Sequence, residues 1–166
     1  MNKKIELSES LEDYLEIILN LQNAHKVARS KDIAEKMGIK RGSVTGTLKN
    51  LAQKGLINYE SYGFITLTPE GTKIAKEIKL RHEVIKDFLF RVLQIEDKKA
   101  DATACRMEHA MDRPTVNMLV KFIDFIDNCP RAGADWMQAF NNFCSTEKPD
   151  RKKCKSCLAQ CIAQFK

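Results

Sequence analysis

The stretch SKDIAEKMGIKRGSVTGTLKNLAQKGLINYESYGFITLT, residues 30–68, decides the fold. Ser30 reads as an N-cap for a short helix that Gly38 stops. After Ile39 and Lys40 a second helix begins, with Val44, Leu48 and Leu51 spaced for one buried face, and Gly55 ends it. Two short helices joined by a glycine-containing turn have the sequence shape of a helix-turn-helix. LINYE and FITLT then alternate in β-rich runs around Ser61-Tyr62-Gly63, a hairpin signal. A hairpin directly after a helix-turn-helix is a wing.

Working outward, Ser10 to His25 reads as an amphipathic helix with Leu11, Leu15, Ile18, Leu19 and Leu21 on its apolar side. On the other flank, Thr68 as cap and Pro69 in the first turn open a long helix towards Leu93, striped by Ile74, Ile78, Ile85, Phe88 and Leu89. Two further helices are expected at about Asp97–Met111 and Pro114–Asp127. The second holds Val116, Leu119, Val120, Phe122, Ile123 and Ile126, more apolar surface than one neighbour could cover, which a subunit interface would explain. The expected architecture is therefore mostly α with a small β wing. Residues 1–68 form a winged helix-turn-helix domain, 69–127 a helical dimerisation domain, and 128–166 a cysteine-rich tail.

Bulk properties narrow the setting. In 166 residues, 28 Lys+Arg stand against 22 Asp+Glu, a net charge of +6. That excess suits a nucleic-acid partner without requiring one. The opening MNKKIELSES lacks an apolar core, so no secretory signal is expected, and no run is long and apolar enough to span a bilayer. A cytoplasmic protein with no membrane partner is expected. The sequence offers no glycine-rich phosphate loop and no nucleophile–base arrangement, which speaks against an enzyme.

Cys105, Glu108 and His109 stand at i, i+3 and i+4, so all three project from one helical face. A thiolate, a carboxylate and an imidazole converging there suit a first-row transition metal. The same triplet also reads as an exposed acid and imidazole beside a small buried thiol. Asp13 and Glu16, one turn apart on the first helix, and His82 on the long helix are further candidate donors. Taken singly they read first as solvated helix charges and an interfacial histidine, and it is their coincidence with a winged reader that favours the metal reading.

SLEDYLE (10–16), SVTGTLKNLAQKGLI (43–57), LTPEGTKIA (67–75), LRHEVIKDFL (80–89) and ACRMEHAM (104–111), in that order and spacing, resemble the diphtheria-toxin-repressor/manganese-transport-regulator family over roughly residues 8–127. The resemblance implies a homodimeric, metal-dependent transcriptional repressor that binds a double-stranded DNA operator and controls metal-uptake genes. It also implies that Asp13, Glu16, His82, Cys105, Glu108 and His109 are the primary metal ligands. Manganese sensors of the family are similar at Asp13 but carry a carboxylate in place of Cys105. Iron sensors are similar at Cys105 but carry a methionine in place of Asp13. A thiolate favours Fe(II) over the harder Mn(II). Members often hold a glutamate where Lys86 stands, so an identical binuclear site is not expected, although Asp101 takes the place of another ancillary ligand and offers partial compensation. A cation bridging Asp13 and Glu16 of the DNA-reading half to His82, Cys105, Glu108 and His109 of the dimer half would restrain the two reading heads for adjacent half-sites.

On the DNA side, Arg41, Ser43, Thr45, Thr47 and Lys49 decorate the recognition helix, where hydroxyls and cations suit phosphate contacts. Gly46 replaces a larger base-contacting side chain of relatives. Beyond the family core, Cys144, Cys154, Cys157 and Cys161, with Cys129 as a further candidate, could hold a [4Fe-4S] cluster or structural zinc, or remain thiols. The competing reading is a winged-helix regulator that senses redox or iron–sulfur status through this tail, its helical Cys/Glu/His face being structural.

Overall fold

The computed structural model describes residues 7–60, 63–128, 137, 140, 141 and 144. Its elements run α1 (Glu9–His25), α2 (Ser30–Met37), α3 (Arg41–Gln53), β1 (Ile57–Tyr59), β2 (Ile65–Leu67), α4 (Pro69–Asp87), a π-helical turn (Phe88–Val92), α5 (Asp97–Glu108) and α6 (Arg113–Asn128). The expected mostly helical architecture with a small wing is what forms.

Packing divides the chain into two compact units: residues through Glu83 with Cys105–Ala110, and Val84–Ala104 with the chain from Met111 onward. In the first, Tyr14, Leu15 and Ile18 of α1, Ile33 of α2, and Val44, Leu48 and Leu51 of α3 close over Leu56, Ile65 and Ile78. Each fully buried aliphatic side chain contributes roughly 1.5–3 kcal/mol to this core. Gly38 caps α2 with φ 66°, a left-handed conformation that costs a residue with a Cβ, so the chain turns there into α3.

The wing pairs β1 and β2 antiparallel in the register Ile57↔Leu67, Asn58↔Thr66 and Tyr59↔Ile65. Its outer edge is covered by Ala28, which exchanges backbone hydrogen bonds with Ile65 at 3.0 and 2.9 Å. Gln22 near the end of α1 accepts a hydrogen bond from the Leu67 amide at 2.7 Å. The first helix is thus tied to the hairpin twice, through Gln22 and through the segment that follows it.

The entry to α4 is tightly knotted. Thr68 caps it, its hydroxyl accepting from the Gly71 amide at 3.1 Å and donating to the Gly55 carbonyl at 2.8 Å. The Thr68 amide in turn reaches the Leu56 carbonyl at 3.0 Å. Gly71 lets the two backbones meet: a Cβ there would lie 1.9 Å from the Leu56 oxygen.

Three expected boundaries are corrected. Ser30 is the first residue of α2, not its N-cap; Arg29 is the cap, extended at φ −127° and ψ 147°. The strand-like pairing of Ala28 leads straight into the helix, so the Ile33 amide already bonds to Arg29. The long helix ends at Asp87 and widens into a π turn, closed by the Leu93 amide on the Phe88 carbonyl at 3.1 Å. The wider turn buries Leu89 and Val92 while Arg91 forks onto Asp87 and Asp127, with contacts of 2.9 and 2.7 Å. The third correction is at α5, which stops at Glu108 before the expected Met111, and Asp112 caps α6 through the Thr115 amide at 2.9 Å.

In the second unit, Val116, Ile123 and Ile126 of α6 are buried, whereas Met118 (62%), Phe122 (42%) and Phe125 (53%) are exposed. Of the six apolar residues expected to exceed one neighbour's cover, Val116, Ile123 and Ile126 are buried within the chain, Leu119 and Val120 are half-buried and Phe122 is exposed, while Met118 and Phe125 extend the exposed apolar face.

Gly46 lies within α3, and a Cβ added to it would meet nothing within 4 Å. Glycine in a helix interior costs about 1 kcal/mol relative to alanine. Gly46→Ala should therefore raise the unfolding free energy by about 0.5–1 kcal/mol in urea titration, and a loss of stability would contradict the assigned helix.

Candidate metal centre and DNA-reading face

The second turn of α1 and the last turn of α5 bring donors together. Asp13 of α1, Cys105 and Glu108 of α5, and His109 just beyond it each offer a ligand atom, and these atoms all lie within 4.8 Å of one another. All four belong to the first unit, as do Glu16 and His82. Of the six expected ligands, the structure gathers these four in one cluster and sets the other two beside it. His82 Nδ1 lies 2.8 Å from Glu108 Oε2. Burial, reinforced by the charges of Glu108 and Asp13, holds the Glu16 carboxyl above the usual range, although His82 and Lys79 pull the other way.

Glu108 is 0% exposed, and its Oε1 has no hydrogen-bond partner. A carboxylate oxygen taken out of water without a partner costs free energy that a cation would recover. The donor set around it — two carboxylates, one imidazole and one thiol — fits a divalent first-row transition metal by both charge and ligand type. His109 is held the same way from the other side. Its Nε2 lies 3.0 Å from Asp13 Oδ1 and 3.5 Å from Glu108 Oε1, and its Nδ1 lies 2.8 Å from Glu12 Oε2. Burial alone would lower its pKa, but the Glu12 hydrogen bond and the charges of Asp13, Glu108 and Glu12 outweigh that and raise it.

Sequence reasoning missed two residues here. Glu12 precedes Asp13 and contacts His109, and Arg81 precedes His82 and reaches Glu12 at 3.3 Å and the Glu108 carbonyl at 3.1 Å. The only hint of Glu12 in the sequence is its i, i+4 spacing with Glu16; nothing marks an arginine beside a cation site. Lys86 departs from the family pattern with a structural consequence. Its ammonium pairs with Asp101 at 2.8 Å and Asp97 at 3.2 Å, so those carboxylates already face a cation of the chain's own.

On α3, Arg41, Ser43 and Lys49 are exposed and Thr45 and Thr47 half-buried, while Val44 and Leu48 point into the core. The expected polar face is therefore the outward one. Among the tail thiols, Cys144 is exposed, and Cys129, Cys154, Cys157 and Cys161 lie outside the described residues.

A helix-turn-helix with a paired wing, joined to an acid, thiol and imidazole cluster, defines a metal-responsive DNA-binding regulator. Family models agree over most of the chain: the N-terminal DNA-binding domain of iron-dependent repressors matches residues 6–64, and their metal-binding and dimerisation domain matches residues 68–137. An HTH-type transcriptional regulator of Methanocaldococcus jannaschii is 37% identical over 119 residues, covering 71% of this chain and 95% of that one. The transcriptional regulator MntR of Salmonella typhimurium is 34% identical, covering 69% and 72%. The crystal structure of IdeR from T. acidophilum superposes with a TM-score of 0.63 at 26% identity, over 78% of this chain and 59% of that one. The chain thus spans less than two thirds of the IdeR chain it resembles. The chain belongs to the iron-dependent repressor family of metal-dependent, DNA-binding transcriptional repressors. Among the described residues, no helix is long and apolar enough to cross a membrane.

Proposed function

We propose that this chain is a cytoplasmic homodimeric repressor whose corepressor is a divalent ion, Fe(II) before Mn(II), acting on operators of metal-uptake genes. The observation that carries the reading is the buried Glu108 oxygen, without a hydrogen bond, inside the cluster of Asp13, Cys105 and His109. Asp13, Cys105, Glu108 and His109 hold the ion, with Glu16 and His82 as adjoining donors. The ion supplies positive charge where α1 and α5 present carboxylates to each other. The Cys105 thiolate supports the ranking, since softer donors favour the later, more polarisable ion.

The chain's own residues carry the signal. Asp13 and Glu16 sit on α1, which Gln22 ties to the wing, so restraining α1 restrains the DNA-reading head. Arg41, Ser43, Thr45, Thr47 and Lys49 then meet DNA phosphates, and the apolar face of α6 joins two copies. A coupling of about 1–3 kcal/mol between ion and operator changes operator affinity roughly 5–150-fold.

The test is operator affinity, on DNA selected from random sequence, titrated separately with Fe(II), Mn(II), Zn(II) and Ni(II) without oxygen. Tight binding should appear with Fe(II) at lower free concentration than with Mn(II). Equal affinity in chelator would overturn the metal-dependent reading.

A further inference from the structure

The Glu12–Arg81 pair touches the candidate centre without offering it a donor. Glu12 Oε2 lies 2.8 Å from His109 Nδ1, on the side of the ring opposite the Nε2 that faces Asp13 and Glu108. Both ring nitrogens face carboxylates here, Nε2 lying 3.0 Å from Asp13 Oδ1; with a cation at the cluster, the ring would donate its Nδ1 hydrogen to Glu12 and turn the Nε2 lone pair to the ion. Such an acceptor fixes the tautomer, fixes the ring plane and makes the ligand nitrogen more basic. Glu12 is itself fixed. One terminal nitrogen of Arg81 contacts both its oxygens, at 3.4 and 3.3 Å, while the other donates to the Glu108 carbonyl at 3.1 Å. The Arg81 and Glu12 side chains are only 15% and 17% exposed and His109 is 7%, so the arrangement is largely shielded from competing water.

We propose that Glu12 and Arg81 are positioning residues of the metal centre: Glu12 sets the tautomer and aim of His109, and Arg81 locks Glu12 to the end of α5. The inference rests on the metal reading above.

Charge alone and positioning predict opposite signs at one residue. Were Arg81 merely a nearby positive charge, its removal would tighten cation binding. As the lock on Glu12, its removal loosens His109 and weakens binding. The affinity of the full chain for Mn(II), free of DNA and oxygen, reads the difference. Glu12→Ala should weaken Mn(II) about 10–100-fold, the usual cost of losing a partner of a metal-bound histidine. Glu12→Gln, whose amide oxygen still accepts from Nδ1, should recover most of that loss. Arg81→Ala should also weaken binding, and the double variant should be little worse than Glu12→Ala, because the two act through one path. Unfolding in chelator identifies any variant that fails to fold, and the conservative Glu12→Gln and Arg81→Lys then carry the comparison. Wild-type affinity in Glu12→Ala, or tighter Mn(II) binding in Arg81→Ala, overturns the proposal while leaving the metal reading intact. Failure of the wild type to bind Mn(II) at all, or an unaltered affinity in Glu108→Gln, overturns both.

Discussion

Glu108→Gln should reduce the affinity for Fe(II) and Mn(II) on the order of 100-fold or more, since even the hydrogen-bond partners of metal ligands cost 10–100-fold. The carboxylate is fully buried, one oxygen faces His82 and the other has no hydrogen bond, only His109 Nε2 at 3.5 Å, so a cation would repay much of the cost of its charge. Replacing it with an amide of the same shape removes the charge and keeps the volume. At alkaline pH, where the His82 and His109 rings are neutral, the chelator-treated variant should unfold no earlier than the wild type, because a buried charge beside Asp13 and Glu16 has been relieved. Opposite signs for metal affinity and metal-free stability, in equilibrium competition and thermal melts, are the expected signature. A variant that keeps its affinity would remove Glu108 from the centre.

Gly71→Ala should destabilise the first unit by about 3 kcal/mol or more, at the upper end of what overpacking costs. The clash is with main chain: the added Cβ would sit 1.9 Å from the Leu56 carbonyl oxygen, and no rotamer relieves that. That carbonyl also accepts the Thr68 amide, so pushing it away breaks the cap that starts α4. Urea unfolding reads the loss directly. A variant as stable as the wild type would mean that α4 does not approach Leu56 as described.

Much of the DNA-reading half was legible because its signals are local. Val44, Leu48 and Leu51 are all fully buried, as their spacing implied, and Gly38 stops α2 through a conformation that glycine adopts readily. The misplaced ends share a different cause. Ser30 lost the cap position because Ala28 pairs with Ile65, 37 residues downstream, and Arg91 in the π turn meets Asp127, almost as far along the chain. No window of sequence contains such partners. The site divides in the same way. Asp13, Cys105, Glu108 and His109 were marked by donor type, helical spacing and family resemblance, and the fold clusters them. Glu12 and Arg81 were not marked, because a carboxylate and a guanidinium on helix surfaces read as solvated charges until tertiary packing turns them inward.

Gln22 has a mechanical consequence. It stitches the far end of α1 to the hairpin strand, while Asp13, more than two turns earlier on the same rod, enters the donor cluster. A stiff rod pinned at one end and gripped at the other transmits torque instead of absorbing it. If an ion grips that cluster as proposed, the Leu67 amide is a fulcrum, and shortening its tether would uncouple grip from reading without touching either.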